Sequence, residues 1–413
     1  MSPSIAAHTL GCKVNQYDTD AILTEFSGAG FVIDDDAPDV FIVNTCTVTN
    51  VSDKKSRQLI KRAHKKNPRA LVVAYGCYAQ VEPDALAGLD GVSMVVGTAD
   101  RERLVELVSA RLGHEKNVAG TNKLTPKRTR AYLKIQDGCD RFCSYCIVPY
   151  ARGAVVSRAE EDVLAEAEAL VRLGCREIVI SGIQIASYGN DLIRLIKRVH
   201  DLPGLERLRL GSLEPNIVDD AFLGCVRGLP KLCDHFHLSL QSGCDRTLLR
   251  MNRRYKAAEY AKAAAGLREC FPQAGLTTDM IVGFPGETDD DFEESLQFAE
   301  RMKFSRIHVF AYSAKKGTAA ADFPGQVDGE TKERRSRRLR EVAARLGREF
   351  YKQFNDISLP VLFEAEVEDG VWEGHTSQYI KVRMPSGGDL RNCTRSVRLL
   401  REENGIAYGE EFC

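Results

Sequence analysis

Between residues 131 and 313 six short apolar runs alternate with longer stretches of helical period, and this repeat limits the possible fold more than any other feature of the chain. The runs cover residues 132–135, 178–180, 208–210, 236–240, 278–282 and 307–310. Stretches such as 159–173 and 290–302 separate them, with apolar residues at helical spacing. A strand followed by a helix that crosses back over it builds parallel sheet. Six such units predict a partial barrel, (β/α)6, lacking two of the usual eight, with functional side chains where the strands end.

Residues 4–112 alternate in the same way, with strands expected at 6–10, 40–43, 71–75 and 94–96 and helices at 16–27, 53–64 and 101–112. That pattern predicts an α/β domain with an open, mostly parallel sheet covered on both faces. Residues 113–130, with Gly113, Gly120, Pro126, Lys127, Arg128 and Arg130, read as a linker. A charged helix is expected over 330–352. From Ser358 onward the pattern turns strand-like, with turn signals at Asp369-Gly370 and Gly387-Gly388, which predicts a small β-barrel. The 413 residues thus divide into three expected domains, 1–115, 125–353 and 356–413.

Charge and cysteine usage narrow the class. Lys and Arg total 57 against 58 Asp and Glu, so any nucleic-acid surface must come from local segregation of charge. No apolar run reaches 18 residues, and Met1-Ser2-Pro3-Ser4 lacks the start of a secretory signal, so a soluble cytoplasmic protein is expected. Thirteen cysteines, an odd number, do not suit a disulfide framework in that compartment. Metal binding becomes the leading explanation for some of them.

The segment Asp137-Gly138-Cys139-Asp140-Arg141-Phe142-Cys143-Ser144-Tyr145-Cys146 directly follows the first predicted barrel strand. Three thiolates spaced x3 and x2 on one loop can bind three irons of a four-iron cluster. With no fourth ligand, one iron stays open to the amino and carboxylate groups of S-adenosylmethionine. An electron passed through that iron cleaves the sulfonium to a 5′-deoxyadenosyl radical. Tyr145 suits a ring packed beside the cofactor. Structural zinc is the competing reading, but zinc normally takes four protein ligands and no further Cys or His stands nearby. Cys12, Cys46 and Cys77 form a second set by position, each at the carboxyl end of a predicted parallel strand. Such ends line one edge of an open sheet, so the three can meet in space. From the residues alone, ligation and structural burial are equally good readings of this set.

At these residues the sequence resembles the radical S-adenosylmethionine superfamily, and its neighbouring motifs narrow the resemblance to the methylthiotransferases. It extends over nearly the whole chain: Thr9-Leu10-Gly11-Cys12-Lys13-Val14-Asn15-Gln16-Tyr17-Asp18, Asn44-Thr45-Cys46-Thr47-Val48-Thr49, Gly76-Cys77-Tyr78-Ala79-Gln80, Ser212-Leu213-Glu214-Pro215, His237-Leu238-Ser239-Leu240-Gln241-Ser242-Gly243 and Gly283-Phe284-Pro285-Gly286-Glu287-Thr288. The resemblance implies a second [4Fe-4S] cluster on Cys12, Cys46 and Cys77, whose open iron would hold the sulfur to be inserted. It also implies two uses of S-adenosylmethionine, a C-terminal RNA-binding TRAM barrel, a sulfur donor and a low-potential electron donor such as flavodoxin or ferredoxin. The text around Cys12 and Cys46 is most similar to enzymes that act at C2 of N6-threonylcarbamoyladenosine in the anticodon stem-loop of tRNA. Isopentenyladenosine enzymes and ribosomal-protein aspartate enzymes are the alternatives. Ala154, Gln184 and Ala311 depart from residues usual in the group.

Polar residues at the barrel strand ends are candidates to bind S-adenosylmethionine: Gln184, Ser212, Glu214 and Gln241. The turn Gly283-Phe284-Pro285-Gly286 is placed to bring backbone near the adenine. Two basic runs are expected to grip tRNA phosphates: Lys54, Lys55, Arg57, Lys61, Arg62, Lys65, Lys66 and Arg69, and then Arg334, Arg335, Arg337, Arg338 and Arg340. From Ser358 onward six Lys and Arg face ten Asp and Glu, so that module is expected to contribute shape and stacking through Trp372 or Tyr379. Lys13, Gln16, Thr47 and Thr49 are the expected readers of the modified base. Cys175, Cys225, Cys233, Cys244, Cys270 and Cys393 read as small buried hydrophobes, Cys413 as a mobile terminal thiol, and His235, His237 and His308 as core or hydrogen-bonded residues.

Overall fold

The computed structural model describes residues 2–114, 129–189 and 191–412; most of the expected linker, and Cys413, lie outside the described residues. The chain forms two compact units. The first combines Met1–Thr125 with Gln136–Val156 and Ser313–Ala321, and the second combines Pro126–Ile135, Ser157–Tyr312 and Asp322–Cys413.

The sheet of the first unit contains β1 (Ser4–Thr9), β2 (Val32–Ile33), β3 (Val40–Thr45), β4 (Leu71–Gly76) and β5 (Met94–Val96), in the order β2-β1-β3-β4-β5. Every pairing is parallel. All residues of β3 and β4 are buried, as central strands covered on both faces require. Alternate side chains feed two cores. Val40, Ile42, Val73 and Tyr75 pack with Ile22, Phe26, Leu104 and Val108, while Phe41, Val43, Val72 and Ala74 pack with Ile60 and Ala63. The four expected strands are present to within two residues at either end. β2 escapes prediction because it is two exposed residues at the sheet edge.

The second unit carries β6 (Arg130–Asp137), β7 (Val156–Ser157), β8 (Glu177–Gly182), β9 (Arg207–Leu210), β10 (Ser212–Leu213), β11 (His235–Leu238), β12 (Gly275–Val282) and β13 (Arg306–Ala311), with the ends of β6 and β7 shared with the first. These form two sheets, β7-β6-β8-β9 and β10-β11-β12-β13. All six expected strands occur, and the third is split at Gly211. There a side chain would stand 2.8 Å from the Ile180 carbonyl oxygen, to which the Gly211 N–H donates. Phe236, Leu238, Leu276, Met280 and Ile307 join the core shared with the covering helices. Strand alternation therefore leaves His235, His237, Thr277, Asp279 and His308 on the inner face.

The last strands, β14 (Ser358–Glu368), β15 (Val371–Thr376), β16 (Lys381–Pro385), β17 (Thr394–Glu403) and β18 (Ile406–Glu411), close into a barrel in the order β14-β15-β16-β18-β17. Phe363, Trp372, Val382, Met384, Val397 and Leu399 fill it, joined by Phe350 from the long helix Gly329–Lys352. The barrel covers the amino-terminal ends of the inner strands. Arg207 donates to the carbonyls of His375 and Pro360, each at 2.8 Å, and Arg209 to those of Ser377 and Thr376 at 3.0 and 3.3 Å. Arg209 also binds the fully buried Glu177 at 2.7 Å. The Tyr379 ring lies 4.7 Å from His235 and 4.8 Å from His375, with the Arg209 guanidinium 4.7 Å from its centroid.

This packing corrects the expectation that Trp372 or Tyr379 stacks on RNA. Alternation along β15 turns Trp372 inward, where it is 4% exposed, and Tyr379 is enclosed by charged and aromatic neighbours. Replacing Trp372 with Ala should destabilise the second unit by about 3–5 kcal/mol, seen as a lower unfolding temperature in calorimetry. A loss below about 1 kcal/mol would mean the barrel core is not built around this ring.

Candidate functional site

In the first unit, parallel register brings three strand ends level: Thr9 pairs with Asn44, and Thr45 with Gly76. Cys12 caps the helix Lys13–Gly28, Cys46 follows β3, and Cys77 begins the short helix after β4. Gly11, at φ +107°, permits the approach, since a Cβ there would sit 3.1 Å from the Cys46 sulfur. Asn15 is the common neighbour. Its Oδ1 lies 3.8 Å from the Cys12 Sγ and 3.9 Å from the Cys77 Sγ, and its Nδ2 donates to the carbonyls of Leu10 and Thr45. Burial pushes the Cys77 thiol up to about 12 and raises that of Cys46 as well. Metal binding must therefore displace protons from both.

The Cys139–Cys146 loop belongs to the same unit. Gly138, at φ +71°, begins it in a space that admits no side chain, because a Cβ would fall 1.9 Å from the Ala154 carbonyl oxygen. The Cys139 N–H donates to Gly153 at 3.1 Å and the Cys146 N–H to Cys143 at 2.9 Å. Arg152, whose side chain is 4% exposed, joins the two cysteine sets. Its guanidinium donates to both oxygens of Asp137 at 3.0 and 2.9 Å, to Asp18 at 3.0 Å and to Asn15 Oδ1 at 2.5 Å. A fixed cation beside two thiol sets suits anionic iron–sulfur–thiolate groups, so the residues present fit such clusters. Arg152 was not singled out in the sequence; the available signal was a cation six residues after the last loop cysteine.

Of the cofactor candidates in the second unit, Gln184 and Glu214 meet at 3.3 Å. Arg253, which sequence reasoning missed, donates to the other Glu214 oxygen at 3.1 Å. Ser212 is exposed on β10, and Gln241 takes a φ of +71° beyond β11. Gly283-Phe284-Pro285-Gly286 is latched from behind: the Gly283 N–H donates to Glu287, and Glu287 pairs with buried Arg335 at 2.7 Å.

Ion pairs also correct the second basic run at four of its five arginines, while Arg337 is exposed with no acidic partner among the described residues. Arg335 reaches Glu287 and Asp289, Arg334 reaches Asp289, Arg338 reaches Glu293 and Arg340 reaches Glu333. The acidic helix Asp289–Met302, remote in sequence, supplies Asp289 and Glu293. On the helix Asn50–Lys66, by contrast, Lys54, Lys55, Lys61, Arg62 and Lys65 are exposed and have no acidic partner among the described residues. Of the expected readers of the base, Thr47 is fully buried with no hydrogen-bond partner for its hydroxyl among the described residues, Thr49 caps that helix and Gln16 bonds Asp20. Among the remaining cysteines, Cys175, Cys225, Cys233 and Cys244 are buried, and Cys270 and Cys393 are half-buried. No helix among the described residues is long and apolar enough to cross a membrane.

A three-cysteine loop at the carboxyl end of the first strand of a partial parallel barrel defines a radical S-adenosylmethionine enzyme, and residues 133–299 match the Radical SAM superfamily. Residues 4–97 match Uncharacterized protein family UPF0004. The chain is 37% identical, over 98% of its length and 95% of the relative, to the threonylcarbamoyladenosine tRNA methylthiotransferase MtaB of Bacillus subtilis. It is 31% identical, over 95% of its length and 87% of the relative, to the tRNA-2-methylthio-N(6)-dimethylallyladenosine synthase of Acetivibrio thermocellus. It belongs to the methylthiotransferase family of radical S-adenosylmethionine enzymes. It also shares the fold of the radical S-adenosylmethionine methyltransferase TsrM from Kitasatospora setae, with a TM-score of 0.58 over 78% of this chain and 75% of that one at 18% identity. The cofactors of the class are a [4Fe-4S] cluster and S-adenosylmethionine.

Changing Arg152 to Leu should leave Asp18, whose side chain is 2% exposed, without its cation and destabilise the first unit by about 3–5 kcal/mol. Chemical denaturation of the variant checks this. Replacing Lys61 and Lys65 with Ala should reduce the slope of log affinity for tRNA against log salt by roughly 0.7–0.9 per lost phosphate contact. An unchanged slope would return this helix to an ordinary solvated face.

Proposed function

We propose that this protein is a tRNA methylthiotransferase that replaces the C2 hydrogen of N6-threonylcarbamoyladenosine, beside the anticodon, with a methylthio group. The observation that carries the proposal is the convergence of Cys12, Cys46 and Cys77 about Asn15, in the same unit as the Cys139–Cys146 loop. One set of thiols suffices for a radical cluster, so a second set supports a second [4Fe-4S] cluster devoted to sulfur. The full-length likeness to the Bacillus enzyme supports threonylcarbamoyladenosine over isopentenyladenosine or a ribosomal-protein aspartate.

When bound, the cluster held by Cys139, Cys143 and Cys146 and S-adenosylmethionine supply a 5′-deoxyadenosyl radical, which an unactivated aromatic C–H requires. The chain's own residues bind and orient. Glu214 is an acceptor suited to the amino group of S-adenosylmethionine, and Arg253 a donor suited to its carboxylate. Gln184, Ser212 and Gln241 supply further hydrogen-bonding groups. Arg152 fixes Asn15 against Cys12 and Cys77. The exposed cations of Asn50–Lys66 attract the anticodon stem-loop. We assign residues 1–115 to the sulfur-inserting domain, 125–353 to the radical domain and 356–413 to a TRAM domain. A low-potential electron donor such as flavodoxin or ferredoxin and a sulfur donor complete the system, in the cytoplasm.

Anaerobically reconstituted protein should methylthiolate stem-loop RNA bearing threonylcarbamoyladenosine and spare the same RNA bearing isopentenyladenosine, as read by nucleoside mass spectrometry. Iron should approach about eight per chain and fall to about four when Cys12, Cys46 and Cys77 are changed to Ala. Preference for the isopentenyl RNA would overturn the substrate, and full iron in the triple variant would overturn the second cluster.

A further inference from the structure

On the inner face of the second unit, side chains from three adjacent strands meet: His237 of β11, Asp279 of β12 and His308 of β13. One ligand-type atom from each lies within 4.8 Å of the others. Register brings them together, since Asp279 stands opposite His308 and His237 opposite Thr277. His237 Nε2 is 3.3 Å from Asp279 Oδ2, and its Nδ1 is 3.0 Å from Thr277 Oγ1. Thr277 Oγ1 is in turn 3.1 Å from His235 Nε2. The row is satisfied when the Thr277 hydroxyl donates to His237 Nδ1 and the Nε2–H donates to Asp279. His237 then holds the Asp279 carboxylate in place while most of its lone pairs stay open to another donor.

The trio is shielded yet reachable, with His237 11% and Asp279 31% exposed at the side chain. Phe310, two residues beyond His308 on the same face, is 41% exposed. Gln241 links the trio to the proposed cofactor contacts: its N–H donates to the Asp279 carbonyl at 2.9 Å, and its carbonyl accepts from Ile281 at 2.8 Å.

We propose that His237, Asp279 and His308 form the seat for the polar N6 substituent of the target adenosine, with Phe310 beside its ring. The proposal rests on the tRNA reading above and names residues that read the base. A threonylcarbamoyl group carries a carboxylate, a hydroxyl and urea-like N–H groups. Asp279 accepts from the N–H or hydroxyl, and His308 donates to the carboxylate. An isopentenyl chain offers neither donor nor acceptor, so its entry strips water from Asp279 and the imidazoles without replacing it. Sites of this kind can discriminate by up to ~10⁴–10⁵.

The test uses reconstituted enzyme and two stem-loop RNAs identical except for threonylcarbamoyladenosine or isopentenyladenosine. His308→Leu and Asp279→Asn should each lower kcat/KM on the threonylcarbamoyl RNA by at least about 10-fold, narrowing the preference between the two RNAs, at unchanged iron content. His308→Gln, which keeps a donor, should recover part of the loss. An unchanged ratio in both variants would overturn the seat. So would one divalent metal per chain beyond cluster iron that His308→Leu abolishes, because two imidazoles and a carboxylate would then be metal ligands. A wild-type enzyme that prefers the isopentenyl RNA would overturn the threonylcarbamoyl reading itself, and the seat with it.

Discussion

The first unit is organised around one buried guanidinium. Arg152 lies where two carboxylates and an amide oxygen converge, and its removal would leave the buried Asp18 without this cation. Its position ties two loops of different origin: the turn that starts the Cys139 loop, through Asp137, and the strand-end thiols, through Asn15. A planar fork with several donors can satisfy such a group at once, where a lysine ammonium could not match the bidentate Asp137 contact. The positions of Cys12 and Cys77 are thus tied through Asn15 to the same guanidinium.

Glycine does the complementary work. Where charge draws chain segments together, Gly11 and Gly138 remove the atoms that would keep them apart. Both have positive φ, so the backbone conformation and the close approach are demanded of the same residue. Either glycine alone would read as an ordinary turn signal; the flanking cysteines give it meaning.

Much of this was legible in the sequence, and the reasons are physical. Fully buried parallel strands such as β3 and β4 are continuous apolar runs, and their ends carry Cys46 and Cys77, so strand prediction located the thiols as well. What stayed hidden depends on partners remote in the chain. The run from Arg334 to Arg340 looks like the run from Lys54 to Lys66, yet the first faces Glu287, Asp289 and Glu293 while the second faces no acid among the described residues. No local pattern distinguishes them. His237, Asp279 and His308 are likewise separated by some thirty to forty residues each and become neighbours only through register.

The contacts of Arg207 and Arg209 bear on modularity. Both extend from β9 to backbone carbonyls of the terminal barrel, and Arg209 also binds the buried Glu177. Carbonyl recognition is indifferent to side chains but strict about backbone course, so these contacts hold the terminal barrel to one backbone path at Pro360 and at residues 375–377. A barrel transplanted from another protein would have to reproduce that path, or Arg207 and Arg209 would lose their acceptors. The terminal barrel is therefore built into the second unit as its floor and is not an appendage that can be exchanged.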